Sequence, residues 1–266
     1  MARSLWILLL PALLMLGCGG SAPGIQSLPG TEGDFLHAKQ AYEQGNYIRA
    51  VELLTAFLDA HPGSNQLDEV LYLLGGAHQK TGDNLLAVQD YERLIRDFPQ
   101  SSFREQAEFE RAEANYREAL KPSLDPEGTE TALSLFRAYL IRYPSGTHVE
   151  EARAGIEDCL DRLAVKALMN AETYRRLERP KAEVIYLEKA LTTKPDFTRT
   201  GEALAALGRA YKRIGEPDKA RDSWQRLLDY ATPERIRTDP KLSTLRQEAE
   251  GALRDLPATV GENPSH

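Results

Sequence analysis

The sequence predicts an all-α protein: a right-handed superhelical solenoid of about five helix pairs closed by a C-terminal capping helix. Three observations carry this. First, from Phe35 onward an alanine is followed four places later by a bulky residue and twelve or thirteen places later by a proline, five times over. The sets are Ala50, Leu54 and Pro62; Ala87, Tyr91 and Pro99; Ala132, Phe136 and Pro144; Ala182, Tyr186 and Pro195; and Ala220, Trp224 and Pro233. Second, the alanines lie 37, 45, 50 and 38 residues apart, the period of a two-helix repeat with links of varied length. Third, Gly45-Asn46, Gly82-Asp83 and Gly215-Glu216-Pro217 each place a glycine at a helix end and then a capping or starting residue.

The first 17 residues read as an export signal. Arg3 supplies a positive end, Leu5 to Leu16 an apolar run, and small residues follow. A helix of about twelve residues spans about 18 Å, short of a bilayer core of about 30 Å, and Pro11 interrupts it. The run ends Met15-Leu16-Gly17-Cys18, which resembles the bacterial lipobox, with Met15 where leucine is usual. That resemblance implies cleavage before Cys18 and acylation of both its thiol and the new N-terminus. An ordinary signal with an incidental cysteine is the competing reading. Buried acyl chains contribute about 0.8 kcal/mol per CH₂, so several of them anchor a protein stably. In enteric bacteria an aspartate after the cysteine retains the protein at the inner membrane; Gly19 stands there and points outward. Residues 18–33 hold no helical period and are rich in Gly, Pro and Ser, the composition of a flexible tether.

The repeats then run over residues 34–233, as units 34–62, 68–99, 102–144, 147–195 and 201–233. Neither helix of a pair can bury its apolar stripe alone. A small residue at the crossing lets the backbones approach, and a large one a turn later fills the gap. Proline stops the second helix. The fifth unit (Leu204, Leu207-Gly208, Tyr211, Gly215, Ala220, Trp224, Leu227) resembles the tetratricopeptide consensus most fully, and the second (Leu71, Leu74-Gly75, Gly82, Ala87, Tyr91, Leu94, Pro99) nearly as well. Ser102 to Glu105 and Thr147 to Glu150 fit capping boxes opening the third and fourth units. In the third unit, Lys121 to Gly128 lengthens the link between helices, and Asp125-Pro126 reads as a cap and first position. In the fourth, the helical pattern from about Glu150 to Leu177 predicts one helix of roughly 40 Å. Residues 234–266 hold an amphipathic stretch, Leu242 to Leu256, that caps the open end of the solenoid, and then a polar, disordered tail.

A lipobox, a short tether and five tetratricopeptide units in this order resemble the BamD family of outer-membrane β-barrel assembly lipoproteins. The stretch from Thr131 to Leu191 carries the likeness furthest: Ala132, Phe136 and Tyr143-Pro144-Ser145, then a long helix with Arg162-Leu163-Ala164 and a turn at Tyr174. Two positions depart from the family pattern. Ala167 replaces a usual glutamate, and Glu183 replaces the second alanine of a usual pair. The resemblance implies a non-catalytic periplasmic scaffold on the inner side of the outer membrane. Its C-terminal half would hold a BamA-like barrel protein and its N-terminal half would receive unfolded outer-membrane proteins. A lipid-anchored repeat adaptor for cell-wall, division or polysaccharide-export complexes shares the same fold and anchor and stays open on the sequence.

Chemistry-bearing motifs are lacking. The five histidines are dispersed without metal-ligand spacing, and His148 to Glu151 reads as a cap with first-turn carboxylates. Gly75-Gly76 suits helix packing, since no strand precedes it to make a phosphate loop. Cys159 reads as a small buried hydrophobe. No catalytic, cofactor or metal site is expected, and therefore no enzyme. A net charge of −7 without a basic block disfavours nucleic acid.

Two surfaces are the candidates. Phe35, Tyr42, Tyr72, Phe109 and Tyr116 fall at first-helix positions expected to line the concave groove, where aromatic side chains would hold an extended substrate peptide. The competing expectation is that they pack against the neighbouring helix. Arg175, Arg176 and Arg179, with Lys181, surround the fourth turn, and Arg209, Lys212 and Arg213 end the fifth unit's first helix. Together they form either a docking surface for an acidic partner or an ordinary solvated face.

Overall fold

A computed structural model describes residues 30–119 and 126–257. The expected signal peptide, Cys18, the tether up to Pro29, residues 120–125 of the third link and the tail from 258 lie outside the described residues. The described residues form twelve helices and no strand: α1 (Thr31–Glu43), α2 (Tyr47–Ala60), α3 (Leu67–Thr81), α4 (Asn84–Asp97), α5 (Arg104–Ala119), α6 (Glu127–Arg142), α7 (Val149–Arg176), α8 (Pro180–Thr193), α9 (Thr200–Arg213), α10 (Pro217–Tyr230), α11 (Pro233–Thr238) and α12 (Lys241–Asp255). Successive helices from α1 to α10 pack on one another in order, and α12 lies across α9 and α10. This is the all-α tetratricopeptide solenoid the sequence predicts. Helix α1 begins at Thr31, inside the stretch expected to be tether.

Small-against-large packing sets the pairs. Ala50, Ala87, Ala132 and Ala220 are fully buried, each with its bulky partner four residues on and a third buried residue seven on: Phe57, Leu94, Tyr139 and Leu227. Opposite three of the bulky partners, Tyr91, Phe136 and Trp224, stand glycines. A Cβ on Gly75 would lie 2.7 Å from the Tyr91 ring, one on Gly155 2.7 Å from Phe136, and one on Gly208 2.5 Å from Trp224. Only a bare Cα permits these rings to seat.

The fourth unit departs by one residue. On α8 the buried residues at the crossing spacing are Glu183, Leu187 and Ala190, with Val184 and Leu191 buried beside them, while Ala182 and Tyr186 are only half-buried. Ala182 and Tyr186 are therefore not the crossing pair; Glu183 occupies the place that alanine holds in the other units. Its carboxylate is 2% exposed and accepts from the Arg213 guanidinium on α9, which satisfies an otherwise unfavourable buried charge. Pro233 is also reassigned. Helix α10 has already ended at Tyr230, and Pro233 starts α11, where its missing N–H costs nothing.

Four intra-pair turns share one hydrogen-bond pattern. Asn46 N–H donates to Ala41 O and Gly45 N–H to Tyr42 O; the same pair of bonds recurs at Gly82-Asp83, Glu178-Arg179 and Gly215-Glu216. This is the Schellman closure, whose penultimate residue takes a left-handed conformation. Gly45, Gly82 and Gly215 supply it with φ of 76°, 89° and 78°, but in the fourth unit Glu178 takes it at φ 55°.

Between units, an acid on one first helix fastens the loop before the next. Asp68 accepts from Ser101 Oγ at 2.6 Å, Glu105 from Thr147 N–H at 2.7 Å, and Asp161 from both Thr198 N–H and Oγ at 2.8 and 2.9 Å. The expected capping boxes give way to this. Ser101, not Ser102, accepts from Phe103 N–H, and Glu105 reaches forward to Thr147 and Tyr139 instead of back to its own helix start. With its N–H taken by Glu105, Thr147 does not cap α7, whose N-cap is His148 with no side-chain bond.

Helix α7 is one uninterrupted helix of 28 residues, about 42 Å long. Its first half buries Ala152, Gly155 and Cys159 against α6; its second buries Ala164, Ala167, Leu168 and Ala171 against α8 and α9. The five-residue step from Cys159 to Ala164 turns the buried stripe by about 140°. Burial pushes the Cys159 thiol up to about 12, so it stays protonated and inert.

Candidate functional site

The first-helix face of the N-terminal half is built on two repeated positions. Phe35, Tyr72 and Phe109 lie 37 residues apart, as do Tyr42, Gln79 and Tyr116, two helical turns further on. The first position points inward to the core. Phe35 is 7% exposed and packs on Phe57 at 5.8 Å. Phe109 is 6% exposed and lies among Phe136, Tyr139 and a stacked His148 at 4.4 Å. These two are core residues and do not line a groove. Tyr72 is half-buried, stacked on Phe103 at 5.1 Å and tilted on Tyr91 at 6.2 Å. Tyr42 meets Tyr47 edge-on at 5.5 Å, and its hydroxyl rests over Gly76, where a Cβ would come within 2.5 Å. Tyr116 sets its edge on Phe136 at 6.5 Å. Three tyrosines thus keep one side in the packing and one side on the surface.

A polar chain from Tyr91 through Gln79 to Glu110 also lies on these helices, and aromatic patterning alone misses it. Tyr91 Oη donates to Gln79 Oε1 at 3.0 Å, and Gln79 Nε2 donates to the Glu110 carbonyl at 3.3 Å. Burial, with Glu113 second, raises the Glu110 carboxyl above the usual carboxylate range, against the opposing donation from Gln79. Burial raises the phenols of Tyr42 and Tyr72, with Glu110 contributing to each. The signal that would have found Glu110 is the repeat itself. The two preceding units carry Leu36 and Leu73 at its position.

At the other end, the six candidate cations divide. Arg209 donates to both oxygens of Glu248 on α12 at 2.6 and 2.8 Å, and Arg213 is held by Glu183. These two tie the protein together and are not a free docking surface. Arg176 donates to Thr173 Oγ at 3.3 Å. Arg175, Arg179 and Lys212, with Lys181, pair with no carboxylate among the described residues. Of these, Arg179 and Lys181 line an open pocket of about 710 Å³ together with Tyr174, Glu178, Pro180, Ala182, Arg213 and Ile214. Leu177 and Ile185 nearby are 61% and 62% exposed. Tyr174 stacks on Tyr186 at 5.1 Å beside it. Unpaired cations around an apolar recess suit an acidic partner with an apolar contact residue.

Among the described residues, no helix is long and apolar enough to cross a membrane, and no group of His, Cys, Asp and Glu has the arrangement of a metal site. What stands is an array of tetratricopeptide helix pairs with a tyrosine-bearing first-helix face in its N-terminal half and a basic edge in its C-terminal half. The family described as YfiO, outer membrane lipoprotein, matches residues 33–227, and the chain belongs to it. It is 26% identical over 220 residues to the outer membrane protein assembly factor BamD of Vibrio cholerae, covering 79% of this chain and 91% of that one. It is 25% identical over 179 residues to BamD of Caulobacter vibrioides, covering 67% and 59%. Among solved structures, a thermophilic tetratricopeptide protein of Thermus thermophilus is similar, at 21% identity and a TM-score of 0.36, over 85% of this chain and 100% of that one.

Proposed function

We propose that this protein is a non-catalytic, lipid-anchored periplasmic scaffold of the machinery that assembles β-barrel proteins in the outer membrane. The observation that carries this is the match of the outer membrane lipoprotein family across the repeats, joined to a likeness covering 91% of an assembly factor's length. Acyl chains on Cys18 hold the protein at the periplasmic face of the outer membrane. The edge formed by Arg175, Arg179, Lys181 and Lys212 binds a BamA-like barrel-assembly protein through an acidic patch. The tyrosine-lined face of Tyr42, Tyr72 and Tyr116 receives an extended segment of an unfolded barrel protein. A scaffold of this kind works by proximity: holding substrate and assembly protein on one body raises the effective concentration of each for the other.

The test is affinity purification of the full chain from detergent-solubilised membranes. A β-barrel protein should co-purify, and reversal of Arg179 and Lys212 to glutamate should release it at physiological salt. Cys18→Ser should deplete the protein from the outer-membrane fraction. If no barrel protein co-purifies, or if Cys18→Ser fractionates as wild type, the corresponding part of the reading is wrong.

A further inference from the structure

A second cavity lies in the C-terminal half, apart from the outer recess at Tyr174. It measures about 420 Å³ and is walled by the first helices α7 and α9, with α8 and α12 completing it. Its apolar lining is Leu168, Ala171, Leu187, Ala206 and Leu245. Six charged side chains share the wall: Arg175, Arg209 and Arg213, with Glu172, Glu183 and Glu202. Five of them are engaged. Glu172 and Glu202 both accept from Arg199, at 2.8 and 3.0 Å, Glu183 holds Arg213, and Arg209 donates to both oxygens of Glu248. Glu172 stands one turn before Arg175 on α7, but its bond reaches to Arg199 at the start of α9 instead. The Arg175 guanidinium is left with no carboxylate among the described residues. With Arg199 and Glu248 counted, four arginines stand against four glutamates, so the site repels neither sign of charge. What selects an occupant is geometry. A guanidinium presents a planar fork of donors that matches a carboxylate, and an apolar recess with a few convergent polar groups is the usual form of a binding site.

We propose that this cavity is a polypeptide subsite that takes an acidic side chain on Arg175 and an adjoining apolar side chain against Leu168, Ala206 and Leu245. This rests on the reading of the protein as a scaffold for polypeptides and adds to it a sequence preference. Arg213 lines both this cavity and the outer recess, so the subsite adjoins the basic edge.

The test is fluorescence anisotropy with the full-length acylated protein in detergent and two short labelled peptides. They carry a central Leu-Glu-Leu or Leu-Gln-Leu in a Gly-Ser background, and blocked ends leave the glutamate as the one carboxylate. The glutamate peptide should bind about tenfold tighter. Arg175→Gln should remove that gap while leaving the glutamine peptide's affinity unchanged. Arg175→Lys keeps the charge but loses the fork and should retain only part of the gap. Reversal of Arg179 and Lys212 to glutamate, outside the cavity, should leave the gap in place, and melting curves of every variant report folding. Equal affinity of the two peptides for the wild type, a gap that survives Arg175→Gln, or failure of both peptides to bind overturns the subsite. Co-purification of a barrel protein tests the scaffold reading separately, so the two can fail independently.

Discussion

The buried pair Glu183–Arg213 gives the sharpest stability test. Glu183 is 2% exposed, whereas the Arg213 side chain is 42% exposed. Truncating the arginine leaves a buried carboxylate between α8 and α9 without its hydrogen-bonded cation, although Arg175 and Arg209 line the same cavity. Breaking a buried pair from one side costs about 3–5 kcal/mol. Because Arg213 itself reaches water, solvent can replace part of its attraction, and a loss of about 3 kcal/mol is expected for Arg213→Ala. For a domain of this size that lowers Tm by roughly 6–12 °C. Glu183→Ala restores the residue that four sibling units carry and removes the desolvated charge, so its own effect should be within about 1 kcal/mol of zero. The double variant should then recover most of the stability lost in Arg213→Ala, a coupling readable in a double-mutant cycle of urea denaturation followed by far-ultraviolet circular dichroism. Additive losses in the cycle would mean that Glu183 is not sealed where Arg213 holds it.

Three further outcomes are expected. Glu178→Gly removes a left-handed conformation from a residue with a Cβ and should stabilise by about 1 kcal/mol, seen as a Tm higher by roughly 2–4 °C; an unchanged or lower Tm counts against that turn geometry. Ala87→Leu and Ala220→Leu should each lose about 1–3 kcal/mol by overpacking, while the same change at exposed Gln89 should do little; equal losses at all three would disprove the crossing positions. Glu110→Gln should be more stable than the wild type near neutral pH. A carboxyl raised in the folded state carries a penalty above its folded value that vanishes below its ordinary value of about 4.5, so the advantage should shrink as pH falls toward 4, and an advantage that grows on acidification refutes the assignment.

Most of the fold was legible because tetratricopeptide packing writes itself into residue size. An alanine buried to zero, a ring four places on and a glycine opposite cannot be exchanged without clash or cavity. The reading failed where chemistry broke that code. At Glu183 a charge sits in an alanine's place, and what makes it tolerable, Arg213, lies 30 residues away on another helix. Pro233 misled because proline can follow one helix and begin the next. The capping boxes were displaced by bonds such as Glu105 to Thr147, 42 residues apart, which no local pattern carries. Among the candidate contact residues, the phenolic oxygen was the discriminator. Phe35 and Phe109, wholly apolar, went into the core, while Tyr42, Tyr72 and Tyr116 are only half-buried. Arg209 and Arg213 could not be told from free cations until Glu248 and Glu183 were seen opposite them.

The stripe that turns partway along α7 makes this helix a screw between the two halves of the molecule. The tyrosine-lined face belongs to helices seated before the turn and the basic edge to those seated after it, so their mutual bearing is set by helical phase alone. One residue inserted between Cys159 and Ala164 would advance the later units by only about 1.5 Å but rotate them by about 100° around the helix axis. An insertion of that size in a surface link would pass unnoticed; here it would point the tyrosine-lined face and the basic edge in different directions. The number of residues in that stretch is therefore a geometric constant of the scaffold, independent of which side chains fill it.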